Sequence, residues 1–394
     1  MSKTAIIAVV AVVIVAAAGV GGYAILSNNN GGDGKVAYDT SKGWYSWDPT
    51  VIKYPTGSLS FSPKLLETVE TMYKSVYGED SLPDYSKYKL EDVPADFLTY
   101  KSVIFNDTED QVTVLSQIRV SSGSSEYKQL AVTVDKTASN KLITVGSTAA
   151  LLEMMFESTM TPEEAKAKVW DIVWGLDKSA YPDGTVDLAK NYGMPIPTTV
   201  TKVSTTYYLV KNIDEFTGYV DDVTSSGSNL IMMFSGALAN SYADMAPFYN
   251  MLSSASSTNP GNAYLIGTFS TNLSDVFAGI EMVGAMFNAT DVAHSYIDSL
   301  RLKFWAMHQE SSNSGKNYEV YIESASGTAA GKGTIIYDVT TNILSLKCIC
   351  DHEQWKQISN EIVVDKQPKV IFFQESDKRT DDERMRVGVG LITS

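Results

Sequence analysis

The chain has 394 residues and a formal net charge of −15, which argues against nucleic acid and anionic lipid surfaces as partners. Hydrophobic residues make up 44% of it, enough to bury a core of two or three domains' worth of chain. Its only cysteines are Cys348 and Cys350, so no disulfide framework holds that core together.

The run from Ala5 to Leu26 carries no charged, amide or hydroxyl side chain other than the Tyr23 phenol. As a helix rising about 1.5 Å per residue, it spans roughly 30 Å, the thickness of a bilayer core. It exceeds the roughly 7–15 apolar residues of a cleaved signal. Residues 1–27 are therefore expected to form one N-terminal transmembrane anchor, and the Asn- and Gly-rich residues 28–35 a flexible tether. The expected location is the cell membrane, single-pass, with the globular part extracellular. Three Asn-x-Ser/Thr acceptors, at Asn106, Asn272 and Asn288, agree with an outside location.

Residues 36–140 read as an α+β segment. Ser62-Pro63 announces a helix whose apolar residues recur from Leu65 to Val76, and Gly78 stops it. Ser102–Phe105, Gln111–Val120 and Gln129–Val134 are β-branched or alternating and predict strands.

From residue 141 to 300 strands and helices alternate. Leu142–Gly146 predicts a strand buried on both faces, and Ser147-Thr148 a helix cap. Thr161-Pro162-Glu163-Glu164 starts a helix that is expected to run through Trp174 to Gly175. Strands are expected at Thr205–Val210, Asn229–Phe234 and Ala263–Gly267. Helices are expected at Ile213–Val223, Tyr242–Ser253 and Asp275–Phe287. This alternation predicts an α/β fold with a Rossmann-like, doubly wound parallel sheet.

Residues 301–394 read as a second mixed segment. Strands are expected at Tyr318–Glu323, Gly333–Val339, Ile343–Cys350, Val370–Phe373 and Met385–Ile392. Asp351 is expected to cap a helix running through Ile362.

The densest cluster of reactive side chains is Cys348-Ile349-Cys350-Asp351-His352. On a strand, alternate residues share a face, so two thiols and an imidazole would project together, a soft-metal ligand set. Neighbours on that face are about 7 Å apart, so chelation needs a bend. The plainer reading is two buried thiols acting as small hydrophobes, and a disulfide between them would close a strained small ring. Asp177 to Asp187 contains an Asp-Gly pair, but a calcium loop aligned on Gly184 would place Ser179, Tyr181 and Lys190 at ligand positions. No nucleophile elbow, phosphate loop, dinucleotide fingerprint or His-Glu-x-x-His occurs. The chain is read as a non-enzyme with no cofactor and no metal site.

Asn212–Phe216, Asn229–Gly236, Asn262–Ile266 and Phe277–Val283 together resemble the C-terminal lobe of helix-hinged ABC-transporter solute-binding proteins. That class takes siderophores, haem, cobalamin and metals. Leu142–Ala150 is similar to the family's opening strand and helix, and the anchor with its tether resembles that of archaeal membrane-tethered binding proteins. The resemblance implies a binding-protein lobe with extra mixed α+β segments at both ends. It implies a small solute (siderophore, haem, cobalamin or metal) and an ABC permease as partners. It places the ligand against loops after the strands, and so on Ser147, Thr148, Ser235, Gly236, Ser270 and Asn272. The alternative is a non-enzymatic cell-surface structural or adhesion protein.

Overall fold

The computed structural model describes residues 50–54, 65–78, 80–120, 127–144, 148–177, 196–203, 213–235, 263–268, 272–324 and 327–374. The expected anchor and tether, the strands at 205–210 and 385–392 and the helix at 242–253 lie outside the described residues. Among the described residues no helix is long and apolar enough to cross a membrane.

The chain forms two compact units. One joins the chain before residue 57 to everything from Ser314 on, and the other is Gly57–Asn313. Residue 300 falls within a helix of the second unit, and of the segment before residue 141 only the part from Gly57 on belongs with the segment after it.

The first unit is built on a six-stranded mixed sheet. Strand β1 (Thr50–Tyr54) pairs in parallel with β14 (Val370–Gln374), which pairs in parallel with β10 (Glu319–Glu323). Beyond β10 lie β11 (Ala329–Ala330) and β13 (Trp355–Lys356), both antiparallel, while β12 (Lys347–Cys348) adds to the start of β10. Val320, Ile322, Ile371 and Phe372 are fully buried in it. Three expectations fail in this unit, and the first is the strand expected over Ile343–Cys350, which is present only at Lys347–Cys348. Residues 335–343, expected to be strand and turn, form a helix at Ile335–Asp338 that runs on as a wider π turn over Val339–Ile343. Gly333, at φ 79°, breaks the extended chain, and Thr334 caps the helix by accepting the Tyr337 N–H at 3.3 Å. Asp351 caps nothing. It pairs with Lys332 at 2.5 Å, and the next helix begins at Asn360, running to Lys366.

The second unit opens with helix α1 (Leu65–Tyr77), which ends at Gly78 with φ 124°. An antiparallel meander follows: β2 (Ile104–Asp107), β3 (Gln111–Arg119) and β4 (Tyr127–Asp135). Then comes the parallel sheet, with β5 (Asn140–Thr144), β6 (Val173–Asp177), β7 (Thr201–Val203), β8 (Asn229–Ser235) and β9 (Ala263–Thr268) in the order β7-β6-β5-β8-β9. This is the doubly wound arrangement, with the strand order reversing between β5 and β8.

Helix α2 (Thr148–Glu157) follows β5 and helix α3 (Pro162–Ile172) precedes β6. In α3 the capping box is complete: Glu164 Oε2 accepts the Thr161 N–H at 3.0 Å. The helix stops sooner than its sequence suggests. Val173 turns to φ −77°, ψ 109°, and Val173, Trp174 and Gly175 become strand. Helix α4 spans Ile213–Thr224.

Helix α5 (Leu273–Met286) is buried on nearly every side, which is why its sequence is apolar all round. It lies against α6 (Thr290–Asn313) at Gly284, where an added Cβ would stand 2.4 Å from Ala293 Cβ. A buried amide pair ties these layers together. Asn229 Nδ2 donates to Asn140 Oδ1 at 2.9 Å and to the Asp135 carbonyl at 2.9 Å, while Asn140 Nδ2 donates to the Met286 carbonyl at 2.8 Å.

Candidate functional site

Strand β9 is the edge of the parallel sheet, and the meander covers it. The buried Ser116 Oγ on β3 accepts the Gly267 N–H at 2.8 Å, and the Tyr264 hydroxyl accepts the Asp135 N–H at 3.1 Å. Lys136, nearly buried, holds the far corner of the meander through Asp107 at 2.7 Å, and Asp107 Oδ2 accepts from the Thr290 hydroxyl at 2.9 Å.

Between the meander and α5 lies a cavity of about 430 Å³. Gly267, near the carboxyl end of β9, contributes to its lining. One wall is α5, through Ser274, Asp275, Ala278, Gly279 and Met282. Ala278 and Gly279 bring almost no side chain into that wall and so leave room. The opposite wall is β3 and β4, where Gln117 and Gln129 are direct cross-strand partners and Leu115 lies on the same face. The segment leading into β2 supplies Lys101, Ser102 and Val103, and β2 itself supplies Phe105.

The wall is fastened by local bonds. The Ser274 hydroxyl donates to the Thr99 carbonyl, Ser102 Oγ accepts the Ile104 N–H at 3.1 Å, and the Leu115 N–H reaches the Val103 carbonyl at 2.8 Å. Lys101 makes no ion pair among the described residues. Phe105 leaves 64% of its surface exposed, an uncommon state for a large apolar ring and one a ligand would relieve. The cavity thus offers an apolar floor with two amides, an ammonium, a carboxylate and hydroxyls at its margins.

Beside this wall Glu281 is buried, and its Oε1 accepts the Tyr100 hydroxyl at 3.3 Å and meets His294 Nε2 at 2.9 Å. Burial first, then the Glu281 charge, pushes the Tyr100 phenol up to about 12.

Three of the residues expected from sequence are described: Thr148, Ser235 and Asn272. Thr148 is the first residue of α2 and is buried. Ser235 ends β8 in register with Thr268 of β9. Asn272 is the N-cap of α5: its Oδ1 accepts the Asp275 N–H at 2.9 Å, so that oxygen orients the helix that walls the cavity. Ser147, Gly236 and Ser270 lie outside the described residues. Of the three described, Thr148, Ser235 and Asn272, none lines the cavity. Sequence reasoning missed Lys101, Phe105, Gln117 and Gln129. A usable signal was the pair of glutamines on two predicted strands that are otherwise rich in β-branched residues.

Among the described residues no group of three or more His, Cys, Asp or Glu side chains is placed to hold a metal ion. No protein-family model matches the chain, and no curated protein matches it in sequence. Among solved structures it is similar to a periplasmic haem-binding protein from Pseudomonas aeruginosa, at 12% identity and a TM-score of 0.41, covering 64% of this chain and 79% of that one. It is similar to the periplasmic vitamin B12 binding protein of Vibrio cholerae, at 13% identity and a TM-score of 0.37, covering 60% and 77%. It is similar to an ABC transporter substrate-binding protein from Listeria monocytogenes, at 12% identity and a TM-score of 0.38, covering 60% and 76%. Each of these neighbours is named as a binding protein. Likeness at this level carries over no ligand and no residue role.

Proposed function

We propose that this chain is an exported solute-binding protein, held at the membrane by residues 1–27, that captures a small ligand and hands it to an ABC importer. The observation that carries this reading is the cavity beside the carboxyl end of β9, walled by α5 and the meander. Open parallel sheets bind ligands at that edge, and a volume of about 430 Å³ lies within the range of small-molecule sites. Lys101, Gln117, Gln129 and Asp275 fix the ligand's polar groups, and Phe105 covers its apolar part. Thr148, which begins α2, and Ser235, which ends β8, are proposed to contact the ligand together with Ser147, Gly236 and Ser270, and Asn272 acts through the helix it caps. The protein performs no chemistry on the solute.

The test is native mass spectrometry of the extracellular portion purified from its own cells, followed by titration with the ligand it retains. Haemin, cobalamin and a ferric siderophore serve as known probes, since these are the ligand classes the sequence resemblance implies. A retained small molecule whose affinity falls about tenfold or more in the Gln117→Ala/Gln129→Ala double variant supports the reading, ten-fold being about 1.4 kcal/mol. A protein that comes out empty and binds none of the probes overturns it.

A further inference from the structure

The Cys348-Ile349-Cys350 segment belongs to the first unit and takes no part in the solute-binding reading. Cys348 ends β12 opposite Val320, and the Ile349 N–H bonds the Val320 carbonyl at 2.9 Å. The chain then bends, so the second cysteine turns back toward the first. The Cys350 N–H points at Cys348 Sγ, 3.4 Å away. The Cys348 thiol in turn donates to the Ala330 carbonyl at 3.8 Å. Both thiols are free.

Their surroundings differ. Cys350 is 4% exposed and packs with Tyr321, Ala329, Val363 and Ile371. Cys348 is only partly buried. Cys348 Sγ therefore receives the backbone N–H of its more deeply buried neighbour. Interaction with Cys350 holds the Cys348 thiol below the usual range, while the same interaction and burial push the Cys350 thiol well above it. His352, whose ring nitrogens are both buried without a partner among the described residues, does not complete a three-ligand metal group.

We propose that Cys348 and Cys350 form a reactive dithiol that exchanges with an external disulfide, Cys348 attacking and Cys350 resolving. In the first step the Cys348 thiolate attacks one sulfur of the external disulfide, forming a mixed disulfide and expelling one thiolate. In the second step Cys350 loses its proton to water and attacks Cys348 Sγ. A Cys348–Cys350 bond forms and the second external thiolate leaves. The protein is oxidised by two electrons and the external disulfide is reduced to two thiols. The backbone N–H that reaches the attacking sulfur belongs to the residue that later displaces the leaving group. The bend at Ile349 brings that residue back toward Cys348.

The full-length chain, reduced and freed of reductant, is incubated with oxidised glutathione, acid-quenched, denatured and treated with a maleimide. Intact mass then reads the products. The wild type is expected to lose two hydrogens, keep no glutathione and take up no maleimide. Cys350→Ser is expected to hold one glutathione on Cys348, and Cys348→Ser to stay unmodified while folded. Wild-type protein that takes up two maleimides, or that keeps glutathione without closing the ring, overturns the proposal. That wild-type measurement needs no substitution, so it stands even where a variant fails to fold.

Discussion

Ser116 and Gly267 join the two sheets of the second unit through one buried bond: the Ser116 hydroxyl oxygen accepts the Gly267 N–H at 2.8 Å. Gly267 sits on the outer strand of the parallel sheet and lines the cavity, so this bond fixes the distance between the cavity's β-walls. Ser116→Ala leaves that N–H buried and unpaired. The expected cost is about 1–3 kcal/mol of unfolding free energy, read by urea denaturation. A change within about 0.5 kcal/mol, the spread of ordinary surface substitutions, would show that the meander is held by packing alone.

The Asn140–Asn229 amide pair makes a sharper case because it serves two layers. Asn140→Leu removes the donor to the Met286 carbonyl and the acceptor for Asn229 in one step. A loss of about 2–4 kcal/mol is expected, since two buried polar groups lose partners. Asn229→Ala in the same background should then cost much less than in the wild type. Equal costs in both backgrounds would mean that the two amides act independently.

Two glycines in helices should respond with opposite sign. At Gly284 a methyl would stand 2.4 Å from Ala293 Cβ and 2.9 Å from the Ala289 carbonyl oxygen, which is backbone and cannot swing away. Gly284→Ala is expected to lower stability by about 1–3 kcal/mol despite its better helix propensity. Gly218, exposed on α4, has nothing within 4 Å of an added Cβ. Gly218→Ala should raise stability by about 0.5–1 kcal/mol. A Gly284→Ala melt at or above the wild-type temperature would refute the close α5–α6 contact, and a lowered Gly218→Ala melt would refute the open surroundings of Gly218.

The phenols of Tyr73, Tyr100 and Tyr296 are each pushed up to about 12, chiefly by burial. A group that binds its proton more tightly when folded stabilises the fold below its unfolded pKa, here near 10. That contribution disappears as the pH rises from about 10 through about 12. Unfolding free energy should therefore hold to about pH 10 and fall above it. The phenolate absorbance should show a late-titrating class that merges with the rest in denaturant. A single titration near 10 in the folded protein would contradict their burial.

The helix starts and the buried strands were legible in the sequence because their signals are local. Thr161 and Glu164 announce a capping box and form one, and Asn229–Phe234 reads as a strand and is one. The reading failed where two periods compete. Val169 to Trp174 continues a helical stripe, yet Val173 and Trp174 are β-formers whose pairing beside β5 outweighs another helical turn. Residues 335–343 are rich in β-branched residues. The Thr340 and Thr341 hydroxyls bond the carbonyls four residues back, at 2.6 and 2.9 Å, and so serve the helix. The cavity itself was not legible. It is assembled from residues near 101, 115, 129, 267 and 278, brought together only by the packing of the meander on β9 and α5.

Strand β1 has a consequence for how the protein is made. It leaves the ribosome early, but its pairing partner β14 is among the last described segments of the chain. The whole of the second unit is synthesised in between and can fold while β1 waits. The first unit closes only when its far end arrives, so a nascent chain halted at residue 313 would carry a finished second unit and a strand with no neighbour.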